Sequence, residues 1–149
     1  MHETARGKTI RLIIDNHLED VFLIGLSTQA LCSYAPFNEV EAYQVQLAVV
    51  EAVTNVIRHA YEEESNQDVE LSVSIHWNRM VFQVLDRGKK IPDFSKKELE
   101  FDSQVLQSVP EGGMGLFIIQ NVMDEITYQS DQGLNILTMI KYFKNPSKP

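Results

Sequence analysis

The sequence predicts a two-layer α/β sandwich: a mixed, mostly antiparallel sheet with helices on one face. Three observations predict it. "VELSVSIHW" and "MVFQVLD" alternate apolar and polar residues on either side of Asn78-Arg79, which is a hairpin signature. "LEDVFLIGLSTQALCSYA" and "NEVEAYQVQLAVVEAVTNVIRHAY" carry apolar residues at helical spacing. The order β-α-α-β-β, a gap, then α-β-β sets hairpins among helices, and such a mixture is stable when the helices cover an antiparallel sheet.

The elements follow in order. "TIRLIIDN" is a first strand. The helix from Leu18 ends where Pro36 forbids its continuation. Asn38 is a candidate N-cap for the next helix, and Glu41 three residues on completes a capping box. In the strand that follows, Val69, Leu71, Val73, Ile75 and Trp77 share one face. Periodicity then fades from Gly88 to Gly113, a stretch long enough to act as a functional lid. "MGLFIIQNVMDE" is a helix, and "ITYQS" and "NILTMIKYF" form a last hairpin turning at Asp131-Gln132-Gly133.

The 149 residues suit one domain, with short polar tails at about residues 1–8 and 145–149. A composition of 44% hydrophobic and 23% charged residues is that of a globular chain. The net charge of −8, from 13 Lys and Arg against 21 Asp and Glu, argues against nucleic acid and against anionic membranes. The one cysteine, Cys32, allows no internal disulfide and fits a reducing compartment. The start lacks an apolar signal core, and no apolar run reaches the roughly 20 residues that span a bilayer. The expectation is a soluble, cytoplasmic protein.

The long helix has two faces. Val45, Val49, Val53, Val56, Ile57 and Ala60 fall on one arc. Glu51, Asn55 and His59, spaced i, i+4, i+8, fall near the opposite one. The spacing alone fits a solvated face. It also fits a ligand face, since an Asn carbonyl suits Mg²⁺ and a Glu one turn earlier can accept a proton. Asp86 and Gly88 stand where an apolar strand ends. A carboxylate there is a turn-former, or an acceptor for an adenine amino group beside a glycine that lets a base approach. In "EGGMGLFIIQNVMDE" the glycines run into a helix N-terminus, which is either a hinge or a phosphate site.

Taken in this order, the three segments resemble the ATP-binding (Bergerat-type) fold of the GHKL superfamily. "EAVTNVIRHAY" resembles its N box, "DRG" its first glycine box and "GGMGLFII" its second. The nearest resemblance, covering about Ile10 to Phe143, is to the bacterial anti-sigma-factor serine kinases. It implies a protein serine kinase using ATP and Mg²⁺. It also implies a cytoplasmic homodimer that binds a sigma factor and phosphorylates an anti-sigma-factor antagonist. By the same resemblance Glu51 is the general base and Asn55 the Mg²⁺ ligand. Arg58 and His59 lie near the phosphates, and Asp86 with Gly88 meets adenine. Gly112, Gly113, Gly115 and Leu116 belong to the phosphate lid and the helix behind it.

The chain departs from the family pattern in places. Lys90 stands where the first glycine box usually has a second glycine. Glu111 stands where some members place an arginine for the γ-phosphate, so Arg58 or Lys89 would have to supply that charge. Asn135 stands where some relatives have a Thr that helps hold adenine. Glu111 keeps a second reading open, a binding module that holds ATP without transferring phosphate. A third is a related switch kinase that binds no sigma factor.

Overall fold

The computed structural model describes residues 7–61, 67–91 and 113–146. The Glu111 and Gly112 assignments and most of the expected lid lie outside these. The elements are β1 (Lys8–Asp15), a 3₁₀ turn (Leu18–Asp20), α1 (Val21–Tyr34), α2 (Glu39–Asn55), a π turn (Val56–Ala60), β2 (Asp68–Ile75), β3 (Arg79–Asp86), α3 (Gly113–Val122), β4 (Glu125–Asp131) and β5 (Leu134–Tyr142). The predicted order is therefore observed.

The strands form a five-stranded sheet in the order β1-β2-β3-β5-β4. Every neighbouring pair is antiparallel, so the mixed component expected from sequence is absent among the described strands. The register stacks the apolar alternation of each strand into continuous rows. Leu12, Leu71, Val84 and Leu137 form one row, and Ile10, Val73, Phe82 and Met139 the next. Against these rows pack the apolar positions of the helices, including Ile24, Val45, Val49, Val53 and Ile119, in one core cluster. Val45, Val49, Val53, Val56, Ile57 and Ala60, the arc read from sequence, are all buried.

Local chemistry fixes the ends of the elements. Asn38 Oδ1 accepts from the Glu41 N–H at 2.8 Å, and the Asn38 N–H donates to Glu41 Oε1 at 3.3 Å. This capping box satisfies two donors that the first turn of α2 leaves open. α1 stops at Ala35, whose extended backbone leads into Pro36. The β4–β5 turn is the two-residue Gln132-Gly133, at φ 50° and 81°. Both angles are positive, as a type I′ hairpin turn demands. Trp77 does not continue the buried face of β2. The strand ends at Ile75, the turn takes residues 76–78, and Trp77 is left 41% exposed. An alternating pattern cannot show where a strand stops, and here the His76 N–H bonds the Arg79 carbonyl and closes the turn one residue early.

Candidate functional site

α2 loses its regular period at Asn55. The segment Val53–Ile57 is rich in β-branched residues, which favour the α-helix less, and the Thr54 hydroxyl donates back to the Val50 carbonyl at 2.7 Å. The π turn over Val56–Ala60 follows at once. Such turns hold one residue more than an α turn and recur at functional sites. The turn breaks the expected i, i+4, i+8 stripe. Asn55 is buried at 6% and Glu51 half-buried, whereas Arg58 and His59 are exposed. Arg58 lines a hollow between α1 and α2 together with Phe22, Leu26, Val50 and Thr54. The structure brings neither Arg58 nor His59 against Glu51.

What does meet Glu51 and Asn55 is the start of α3. A Cβ built on Gly115 would stand 2.7 Å from Glu51 Oε2 and 3.3 Å from Asn55 Nδ2. Any larger residue there would push the Glu51 carboxylate aside. Among the described residues, neither the Glu51 carboxylate nor the Asn55 carboxamide has a hydrogen-bond partner. Neither is among the sealed, partnerless polar atoms of the described residues, so an amide and a carboxylate with open valences are offered to solvent beside the first turn of a helix. Gly113 opens that helix, and Leu116 is buried at 7% in the core cluster. No cluster of three His, Cys, Asp or Glu side chains suited to a metal occurs among the described residues. A cation here would have Asn55 Oδ1 as its protein ligand, with the Glu51 carboxylate one helical turn away. A single amide oxygen suits Mg²⁺, which takes few protein ligands and completes its shell with water and phosphate oxygens.

The second half of the site lies at the other end of the π turn. The alternation of β3 buries Met80, Phe82, Val84 and then Asp86, so the carboxylate stands on the core face at 3% exposure. Asn135 is its register partner on β5, at 1% exposure. Asp86 Oδ1 accepts from the Gly88 N–H at 2.9 Å and from Asn135 Nδ2 at 2.8 Å. Asn135 Nδ2 also donates to the Gly88 carbonyl at 2.9 Å, and Asn135 Oδ1 accepts from the Ser130 hydroxyl at 2.7 Å. Burial pushes the Asp86 carboxyl above the usual range, and the bonds from Asn135 and Gly88 draw it part of the way back.

The loop after Asp86 is pinned along its length. The Arg87 N–H donates to the Tyr61 hydroxyl at 2.8 Å, and that hydroxyl donates to the Asp68 carbonyl at 2.8 Å. The Lys89 N–H donates to the Ala60 carbonyl at 2.7 Å, and the Ile91 N–H to the Tyr128 hydroxyl at 3.0 Å. Gly88 has a packing reason: a Cβ there would stand 2.5 Å from the Ala60 carbonyl oxygen. Thus Ala60, at the end of the π turn, ties Asp86's loop to the helix that carries Glu51 and Asn55. Tyr61 and Ser130 were not among the residues singled out from sequence, and Asn135 was noted only as standing where some relatives have a Thr that helps hold adenine. Asn135 had a legible signal, as the one polar position heading the buried alternation Asn135, Leu137, Met139.

No helix among the described residues is long and apolar enough to cross a membrane. Residues 14–141 match the histidine kinase-like ATPase domain family. The chain is 30% identical over 128 residues to the serine-protein kinase RsbW of Bacillus subtilis, covering 83% of this chain and 79% of that one. It is 28% identical over 137 residues to RsbW of Bacillus velezensis, at 89% and 84% coverage. A solved structure of the Acinetobacter baumannii histidine kinase AdeS aligns at TM-score 0.49 and 15% identity, over 93% of this chain and 70% of that one.

Proposed function

The chain belongs to the histidine kinase-like ATPase family, alongside serine-protein kinases named RsbW, and on that premise we propose that it is an ATP-dependent protein serine kinase and anti-sigma factor. It acts as a cytoplasmic homodimer that holds a sigma factor, with a small anti-sigma-factor antagonist as phosphoacceptor. Phosphorylating the antagonist frees the kinase to hold the sigma factor again. The observation that carries the catalytic part is the Glu51–Asn55 pair, partnerless within the described residues and pressed against Gly115 at the start of α3.

In this reading Asp86 accepts from the adenine amino group. Asn55 supplies the protein ligand to Mg²⁺, and the cation when bound neutralises charge on the phosphates. Glu51 accepts the proton of the substrate serine hydroxyl as its oxygen bonds the γ-phosphorus and the bond to ADP breaks. The first turn of α3 contributes free N–H groups and the positive end of a helix dipole. Arg58, within the π turn, and Lys89, whose N–H bonds the Ala60 carbonyl of that turn, are the basic residues assigned to the γ-phosphate from sequence, and both are exposed.

The test is phosphotransfer from γ-labelled ATP to a candidate antagonist. Glu51→Gln keeps the shape and removes the proton acceptor. It is expected to bind ATP within a few-fold of wild type and to transfer phosphate roughly 10²–10⁴ times more slowly. Equal transfer by both proteins removes Glu51 from the mechanism. Tight ATP and sigma-factor binding without transfer by wild type favours the non-catalytic module.

A further inference from the structure

Asp86 has two oxygens, and the protein treats them differently. Oδ1 already accepts two hydrogen bonds, from the Gly88 N–H and from Asn135 Nδ2. Oδ2 accepts none from the described residues. It is not among the sealed, partnerless polar atoms there, which are Thr28 Oγ1 and Glu41 Oε2. Asn135 is itself engaged at both ends: its Nδ2 reaches Asp86 and the Gly88 carbonyl, and its Oδ1 takes the Ser130 hydroxyl. At 1% exposure it is out of a ligand's reach.

We infer that Asn135 is a positioning residue that, held by Ser130, occupies Asp86 Oδ1 and so leaves Oδ2 as the single acceptor that reads the purine 6-position. The inference rests on the adenine-reading role of Asp86 proposed above. It assigns Asn135 a task unlike direct base contact: the amide selects which carboxylate oxygen is offered and holds the plane in which it points. A hydroxyl in its place has one donor, so it could reach Asp86 or the Gly88 carbonyl but not both.

A consequence separates this role from simple packing. With Oδ1 committed to two donors, a proton taken up by Asp86 goes to Oδ2. The acceptor facing the base then becomes a donor. Removing Asn135 removes an interaction that holds the carboxylate charged, so this inversion moves to higher pH. Tyr61, after the π turn, and Tyr128, on β4, sense the Asp86 charge, and burial raises both, so they stay neutral throughout. Asp68, Glu70 and Arg87 line the same pocket as Asp86.

The experiment is calorimetric titration, with Mg²⁺ and as a function of pH, of ATP and of purine riboside triphosphate, which lacks the 6-amino group. The proteins are wild type, Asn135→Ala, Asn135→Thr and Ser130→Ala. Ser130 is exposed, so its variant keeps the fold if Asn135→Ala does not. Wild type is expected to prefer ATP. Asn135→Ala is expected to lose about 5- to 30-fold in ATP affinity, with the amino-free analogue unchanged within about twofold. The pH at which ATP affinity falls should move upward. Asn135→Thr should be intermediate, and Ser130→Ala should shift the same way by less. If wild type does not distinguish the two nucleotides, the Asp86 reading itself is wrong. If wild type does but the variants keep its preference and pH midpoint, or lose both nucleotides equally, Asn135 is only a packing residue and the inference is overturned.

Discussion

Asp86→Asn is the sharpest perturbation of the base site, because it separates affinity from stability. The new carboxamide is isosteric. Its oxygen can occupy the Oδ1 position and keep the donors from Gly88 and Asn135, at 2.9 and 2.8 Å. Its NH₂ group then stands where Oδ2 stood, facing the adenine amino group donor to donor. Losing that acceptor and burying the mismatch costs about 1–3 kcal/mol, or roughly 5- to 150-fold in ATP affinity. A 6-oxo purine such as inosine triphosphate meets the new donor with its carbonyl and should gain. Stability should move the other way. The Asp86 carboxyl is held above the usual range by burial, so the folded protein binds this proton more readily than the unfolded chain does. Its charge therefore costs stability above the folded pKa and costs nothing below the unfolded one. The variant should melt no lower than wild type at pH 7, and any gain should vanish in acid. Isothermal titration with ATP and inosine triphosphate, with thermal melts at two pH values, checks both halves. ATP affinity within about twofold of wild type would refute the reading of Asp86, and a melting point several degrees lower at pH 7 would refute the energetic argument.

Three further outcomes are expected. Asn55→Ala should lose most of the Mg²⁺-dependent part of ATP affinity, since a hard cation with few protein ligands cannot spare one; equal wild-type affinity in Mg²⁺ and in EDTA would show that this is not a metal site. Gly115→Ala puts a methyl 2.7 Å from Glu51 Oε2, the movable end of a side chain, so the fold should survive. Phosphotransfer should nevertheless fall by about 10²-fold, the effect of misplacing a reacting group by about 1 Å, as single-turnover rates would report. Burial pushes the Cys32 thiol up to about 12, so iodoacetamide should leave it unmodified at pH 8 until the protein is unfolded.

Much of this was legible in the residues. Alternation gave the strands, and the capping box at Asn38 gave the start of α2 to the residue. Glu51, Asn55 and Gly115 were drawn together by resemblance and meet in space. The π turn was not legible. Periodicity assumes a constant angle per residue, so it carried His59 onto the stripe of Glu51 and Asn55, from which the π turn releases it. The network around Asp86 was legible only in part. Strand parity put Asp86 and Asn135 on the same face, but their pairing depends on the β3–β5 register, and no local pattern states a register between strands fifty residues apart.

The π turn has a consequence for how this chain can change. Arg58 and His59 point to solvent within it, so their identities are free to vary without disturbing the fold. Their conformation is another matter. The turn holds one residue more than an α turn, so it hands the chain on in nearly the phase an α-helix would have with one residue fewer. Straightening the same residues into a regular α-helix would rotate everything after them by about 100°. The Tyr61 hydroxyl would then leave both Arg87 and Asp68, and the Ala60 carbonyl would leave Lys89. The segment thus works as a phase correction between two halves of a site, and a variant that straightens it at full length should be more damaging than one that loses a residue as it straightens.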